Sequence, residues 1–107
     1  MNEQQFHASV DQLMLAIEEA IDDSGADIDY ENSAGMLTLT IEANGSQLIL
    51  SRQAAVGELW LAIRAGGLHF KQVDGVWRNT VDEEPLLVRL NRALLEQGGE
   101  ALPLVDA

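Results

Sequence analysis

Residues 36–52 read MLTLTIEANGSQLILSR, two runs of alternating apolar and polar residues on either side of Asn44-Gly45. Period-two alternation marks a strand half-buried on one face, and an Asn-Gly pair between two such runs is the strongest short-range signal for a hairpin with a two-residue turn. That turn would pair Ala43 with Ser46, set Ile41 opposite Leu48 and Leu39 opposite Leu50, and gather these leucines and isoleucine with Leu37 on one apolar face. Thr38, Thr40, Ile49, Ser51 and Gln53 fall on the other, mostly polar face. The sheet is therefore expected to be covered on one side and wet on the other.

Toward the C-terminus the alternation continues. ELWLAI (58–63) puts Leu59, Leu61 and Ile63 inward and leaves Trp60 on the polar side, and Gly66-Gly67 marks a turn. LHFKQV and VWRNT flank Asp74-Gly75 as a second hairpin, with Leu68 and Phe70 inward and His69 and Lys71 outward; Lys71 facing Arg78 would be an unfavourable cross-strand pair. Trp77 is assigned to packing. Asp82 suits an N-cap, and Leu86, Leu87, Leu90, Leu94 and Leu95 mark a helix ended by Gly98-Gly99, with residues 98–107 an irregular tail. Toward the N-terminus, Phe6, Val10, Leu13, Met14, Ile17 and Ile21 form one apolar stripe, predicting an amphipathic helix from residue 3 to about 22 that Ser24-Gly25 ends. Helix, uninterrupted strands, helix: this order predicts an α+β fold, a two-layer α-β sandwich in a single domain spanning 1–107. Two helices cover one face of an antiparallel sheet of about five to six strands.

The 107 residues carry 18 acids against 6 Lys and Arg, a net charge of −12 that disfavours nucleic acid and anionic membranes and favours cations and basic protein surfaces. The absence of cysteine excludes disulfides, zinc-thiolate centres and thiol nucleophiles. No signal peptide or membrane span is read from the sequence, so a cytoplasmic protein is expected.

The acids are not spread evenly. EEAIDDSGADIDYE (18–31) holds seven carboxylates and no Lys or Arg. On the helix wheel Asp11, Glu18, Glu19, Asp22 and Asp23 face outward. Glu18 with Asp22 and Glu19 with Asp23 are like-charge pairs one helical turn apart, each costing roughly 0.2–0.5 kcal/mol. Asp22 and Asp23 also meet the negative end of the helix dipole. Asp27, Asp29 and Glu31 alternate along a strand and are expected to continue the helix's row. A solvated acidic face is one reading; a surface for cations or a basic partner is the other. Carboxylates suit hard ions such as iron, manganese, magnesium or calcium, and exposed ones imply weak sites. His7 is placed to supplement them. An EF-hand does not fit, because Ile28 and Ala34 stand where that loop needs its Gly and Glu. No serine sits in a nucleophile elbow and no HExxH or phosphate loop occurs, so a non-enzyme is expected. Trp60, beside Gln53 and His69 on a polar sheet face, has the character of a protein-docking anchor, with core packing the plainer alternative.

SRQAAVGELWLAIRAGGLHF (51–70) resembles the signature of the frataxin family: an Arg-Gln pair, a Trp-Leu-Ala segment and a Gly-Gly-Leu-His-Phe segment at this spacing. NEQQFHASVDQLMLAIEEAIDD and TLTIEANGSQLILSRQ look like its bacterial members, and the likeness runs in order over residues 1 to about 97. The resemblance implies a two-helix sandwich and a role in iron–sulfur cluster assembly. It implies an acidic ridge, here Glu18, Glu19, Asp22, Asp23, Asp27, Asp29 and Glu31, that binds iron weakly. That ridge would dock on a basic region of the cysteine desulfurase, with Trp60 and Gln53 as further partner contacts and the scaffold protein a second candidate partner. Iron-dependent regulation is the leading role; iron donation with ferroxidase-like activity at the same carboxylates is the alternative. A monomer is expected, with metal-dependent oligomers left open. Ser51, Ala55 and Glu58 depart from the residues usual in the family (Asn, Pro and Gln), and the Ser24-Gly25-Ala26 link is short.

Overall fold

In the computed structural model, which describes residues 2–104, a long helix precedes six strands and a second helix follows them. The elements are α1 (Glu3–Ser24), β1 (Ile28–Ser33), β2 (Met36–Ile41), β3 (Gln47–Gln53), a short 3-10 turn (Ala54–Val56), β4 (Glu58–Ile63), β5 (Gly66–Val73), β6 (Val76–Asn79) and α2 (Leu86–Glu96). The strands pair antiparallel in sequence order, β1 to β6. Both helices cover one face of this sheet, as the alternating pattern requires: Leu37, Leu39, Leu48, Leu50, Leu59, Leu61 and Phe70 are buried with Val10, Met14 and Ile17 of α1 and Leu86, Leu90 and Leu94 of α2. Trp77 joins them, its ring edge-on to Phe6 at 5.9 Å. The opposite face stays open.

α1 starts where Asn2 and Gln5 exchange side-chain-to-backbone hydrogen bonds in a capping box and stops at Gly25, which adopts the left-handed conformation. The second hairpin turns on Asp74 and Gly75, both at positive φ, the geometry that matches the twist of two strands joined by two residues. Lys71 does stand opposite Arg78.

The first hairpin differs from expectation. Leu39 pairs with Leu48 and Leu37 with Leu50, a register shifted by two residues, and 42–45 form a longer loop closed by the Gly45 N–H on the Ile41 carbonyl at 2.8 Å. The reason is Asn44. Its Oδ1 accepts from the Ser46 N–H at 2.9 Å while its Nδ2 donates to the Gln97 carbonyl at 2.8 Å, a contact 53 residues away that a two-residue turn would not reach. Because the shift is even, every side chain keeps its face. The next turn falls on Arg64-Ala65, with Gly66 already opposite Ile63.

α2 begins at Leu86 rather than near Asp82. Pro85 disfavours helical geometry at the residue before it, so Asp82 instead accepts from the Glu84 N–H at 3.0 Å and shapes the preceding loop. Leu95 lies outside the buried stripe and is exposed. The helix ends in a Schellman motif: Gly99 N–H bonds the Leu94 carbonyl and Gly98 N–H that of Leu95, with Gly98 at φ 93°. The tail beyond is irregular but anchored through a buried Leu102, whose backbone N–H and C=O both bond the Asn91 side chain; residues 105–107 of the expected tail lie outside the described residues.

Candidate functional site

α1 crosses beside the edge strand β1, and the acids gather where the two meet. Sheet parity divides them. Ile28, Tyr30 and Asn32 pair with Ile41, Leu39 and Leu37 and so face the helices, whereas Asp29 and Glu31 pair with Thr40 and Thr38 on the open face. The expected single row is therefore two groups straddling the edge strand: Glu18, Glu19, Asp22 and Asp23 on the helix side, Asp29 and Glu31 on the open side, with Asp27 just before the strand.

The helix-side acids are tied to β1 by neutral donors. Asn32 Nδ2 donates to Glu18 Oε2 and the Tyr30 hydroxyl donates to Asp22 Oδ2, each at 2.9 Å. These bonds partly offset the like-charge pair Glu18–Asp22. The hydrogen bond to Asp22, then burial, then the charges of Asp22 and Glu18, hold the Tyr30 phenol above its ordinary range. Glu19 and Asp23 are exposed and have no hydrogen-bonding or ionic partner among the described residues. On the open side, Asp29 pushes the carboxyl of Glu42 in the β2–β3 loop above the ordinary carboxylate range, first through the hydrogen bond a protonated Glu42 can donate to it and then through its charge. Glu42 shares the strand parity of Thr38 and Thr40, but its approach to Asp29 depends on the pairing of β1 with β2, which no local pattern shows.

His7, expected to supplement the ridge, and the outward-facing Asp11 both stand apart from it. His7 lies three turns nearer the start of α1, roughly 16 Å from Glu18 along the axis at 1.5 Å per residue, and it faces Arg52, with Nδ1 and Nη1 3.0 Å apart. Asp11 is also taken by Arg52, at 2.7 Å. Arg52, whose Nε bonds the Gly35 carbonyl, is a clamp between α1 and the sheet. Among the described residues no three acidic or imidazole side chains converge to hold a metal ion, so the ridge offers separate oxygen donors that would share a cation with water.

On the open face the structure places Trp60 as alternation requires, 39% exposed in the row Ser33–Met36–Ser51–Trp60–His69. Gln53 stands opposite Glu58 one step along. Glu31 and Trp60 share this face, three strand spacings apart and two residues out of row, roughly 16 Å.

Two helices on one side of a six-stranded antiparallel sheet, with carboxylates gathered at the α1–β1 edge, define a frataxin-like domain. The family model described as Frataxin-like domain matches residues 1–100, and the chain belongs to that family. Its relatives include proteins named iron-sulfur cluster assembly protein CyaY from Pseudomonas paraeruginosa and Pseudomonas aeruginosa, each 54% identical over 102 residues and covering 94% of both chains. The one from Stutzerimonas stutzeri is 44% identical over 108 residues. Among solved structures, frataxin from Psychromonas ingrahamii superposes with a TM-score of 0.89 at 36% identity, covering 95% of this chain and 96% of that one. No helix among the described residues is long and apolar enough to cross a membrane.

Proposed function

We propose that this chain is a non-enzymatic regulator of iron–sulfur cluster assembly that binds iron weakly on its acidic edge and docks there on a basic surface of the cysteine desulfurase. The observation that carries the reading is the charge distribution: seven carboxylates lie within residues 18–31, and the first Lys or Arg of the chain is Arg52. The names of its relatives supply the pathway. Carboxylates without fixed convergence suit a hard cation held loosely, iron or another divalent ion, as a sensor of its concentration would need. The basic partner would cover the edge and reach Trp60 and Gln53 across the open face, with the assembly scaffold a further partner there. Such binding weakens as salt rises.

The test is the rate of cluster formation on a scaffold, measured with and without this protein across iron concentrations. Regulation predicts inhibition that deepens with iron and disappears when Glu18, Glu19, Asp22 and Asp23 are replaced by lysine. Acceleration, together with oxygen consumption on adding Fe²⁺ that these replacements abolish, would instead establish the donor with ferroxidase-like activity.

A further inference from the structure

The open face carries one side-chain network that the acidic edge does not explain. Glu58 Oε1 accepts from the indole Nε1–H of Trp60 at 3.3 Å and lies 3.1 Å from His69 Nδ1. The imidazole in turn meets the indole at 4.6 Å between ring centroids, inclined by 65°. Glu58 is only 18% exposed, so its contacts are partly shielded from water. The register makes the triangle possible, since Trp60 and His69 are direct cross-strand neighbours and Glu58 lies two residues from Trp60 on the same side of β4.

We propose that Glu58 is the residue that positions Trp60, and that protonation of His69 tightens this arrangement. The mild acidification that charges an imidazole would then order the docking tryptophan.

When His69 is neutral its Nδ1–H donates an ordinary hydrogen bond to Glu58. When it is charged the same contact becomes an ion pair as well as a hydrogen bond, partly shielded from water, and a cation lies within the ~6 Å over which an aromatic ring attracts one. The glutamate is essential, because a glutamine could accept from the indole but would not respond to the charge on the imidazole. Glu58 stays ionised across the range in which histidines titrate. Burial pushes its carboxyl up, but hydrogen bonds from His69 and Trp60 and the charges of His69 and Lys71 outweigh this and hold it below the ordinary carboxylate range.

The other charges facing His69 are few. Lys71 on β5 lies 3.9 Å from the second oxygen of Glu58, Arg78 on β6 stands opposite Lys71 and bonds the Glu83 carbonyl, and Glu83 borders the shallow cavity they share. On β3, Ser51 and Gln53 are neutral. Among the described residues no helix packs on this side.

The inference rests on the reading of Trp60 as a docking residue, and its test separates the two. The chain has two tryptophans, so the intact protein gives two indole N–H resonances by NMR, assigned with W60F. Between about pH 5 and 8, where imidazoles change charge, the Trp60 resonance should move together with the His69 ring signals. The movement should vanish in H69N and in E58Q and return in E58D. Desulfurase affinity, measured as the ratio of wild type to H69N, should rise about threefold from pH 8 to pH 6. A Trp60 resonance that stays fixed through this range, or moves equally in E58Q, overturns the positioning role whatever the desulfurase does. A coupled resonance with an affinity unchanged by W60A supports the positioning role and overturns the docking reading.

Discussion

The Tyr30 hydroxyl donates a hydrogen bond to Asp22 Oδ2 at 2.9 Å, joining the edge strand to the last turns of α1 at the centre of the carboxylates. Tyr30 is the only tyrosine of the chain, so its ionisation can be followed by ultraviolet absorbance without interference from another phenol. The phenolate should form at a higher pH than in a free tyrosine, because the bond to Asp22, burial and the neighbouring negative charges all oppose it. In D22N the titration should move back toward the ordinary range. An unchanged curve would show that the bond is not formed in solution.

Glu42 and Asp29 give the open side of the edge a distinct pH signature. The folded state raises the Glu42 carboxyl, so folding favours its protonated form. Stability from this pair is therefore present at low pH and is lost as pH rises through the raised value. E42Q removes the repulsion, so it should raise Tm near neutral pH, and the gain should fade as the solution is acidified toward the ordinary carboxylate range of about 4. Thermal melts of both proteins at several pH values check the sign. Added divalent cation should narrow the neutral-pH difference, because it neutralises the same carboxylates.

The free pair Glu19 and Asp23 places cost and function in opposition. D23K removes a like-charge contact one turn from Glu19 and puts a cation at the negative end of α1, which should raise Tm by about 2 °C. The same change should weaken association with a basic partner and flatten its salt dependence. A variant less stable than wild type would refute the energetic part.

Gln97 is the buried polar side chain that closes the far end of the molecule. Its Nε2 donates to Ser46 Oγ at 2.6 Å and to the Gln47 carbonyl at 3.3 Å, and its Oε1 accepts from the Arg64 N–H at 3.1 Å. Q97A removes the bonds to Ser46 and Gln47 and leaves the part-buried Arg64 amide without its partner, which together should cost about 2 kcal/mol. Urea denaturation reads this as a lowered midpoint with an unchanged slope.

The layer arrangement was legible from residues 36–52 outward because the side-chain period of a strand is fixed at two. Leu37 with Leu39, and Leu48 with Leu50, had to share a face within their strands, and any even shift at the turn keeps the two pairs together, as it keeps Trp60 with His69. The acidic stretch 18–31 was equally plain as a concentration of charge. Its division was not, since a carboxylate's side depends on which face of β1 the helices cover. Nor does composition show that His7 and Asp11 are drawn to Arg52, because that contact joins residues 45 and 41 positions apart.

The elements, their order, the buried faces and the excess of negative charge all follow from local period and composition. The tertiary structure alone decided the hairpin register, where Asn44 is drawn to Gln97. It also decided which acids are tied to Tyr30 and Asn32 and which stand free, and it brought Glu58, Trp60 and His69 into one network. These features depend on hydrogen bonds between residues distant in the chain, and such bonds leave no period in the sequence that contains them.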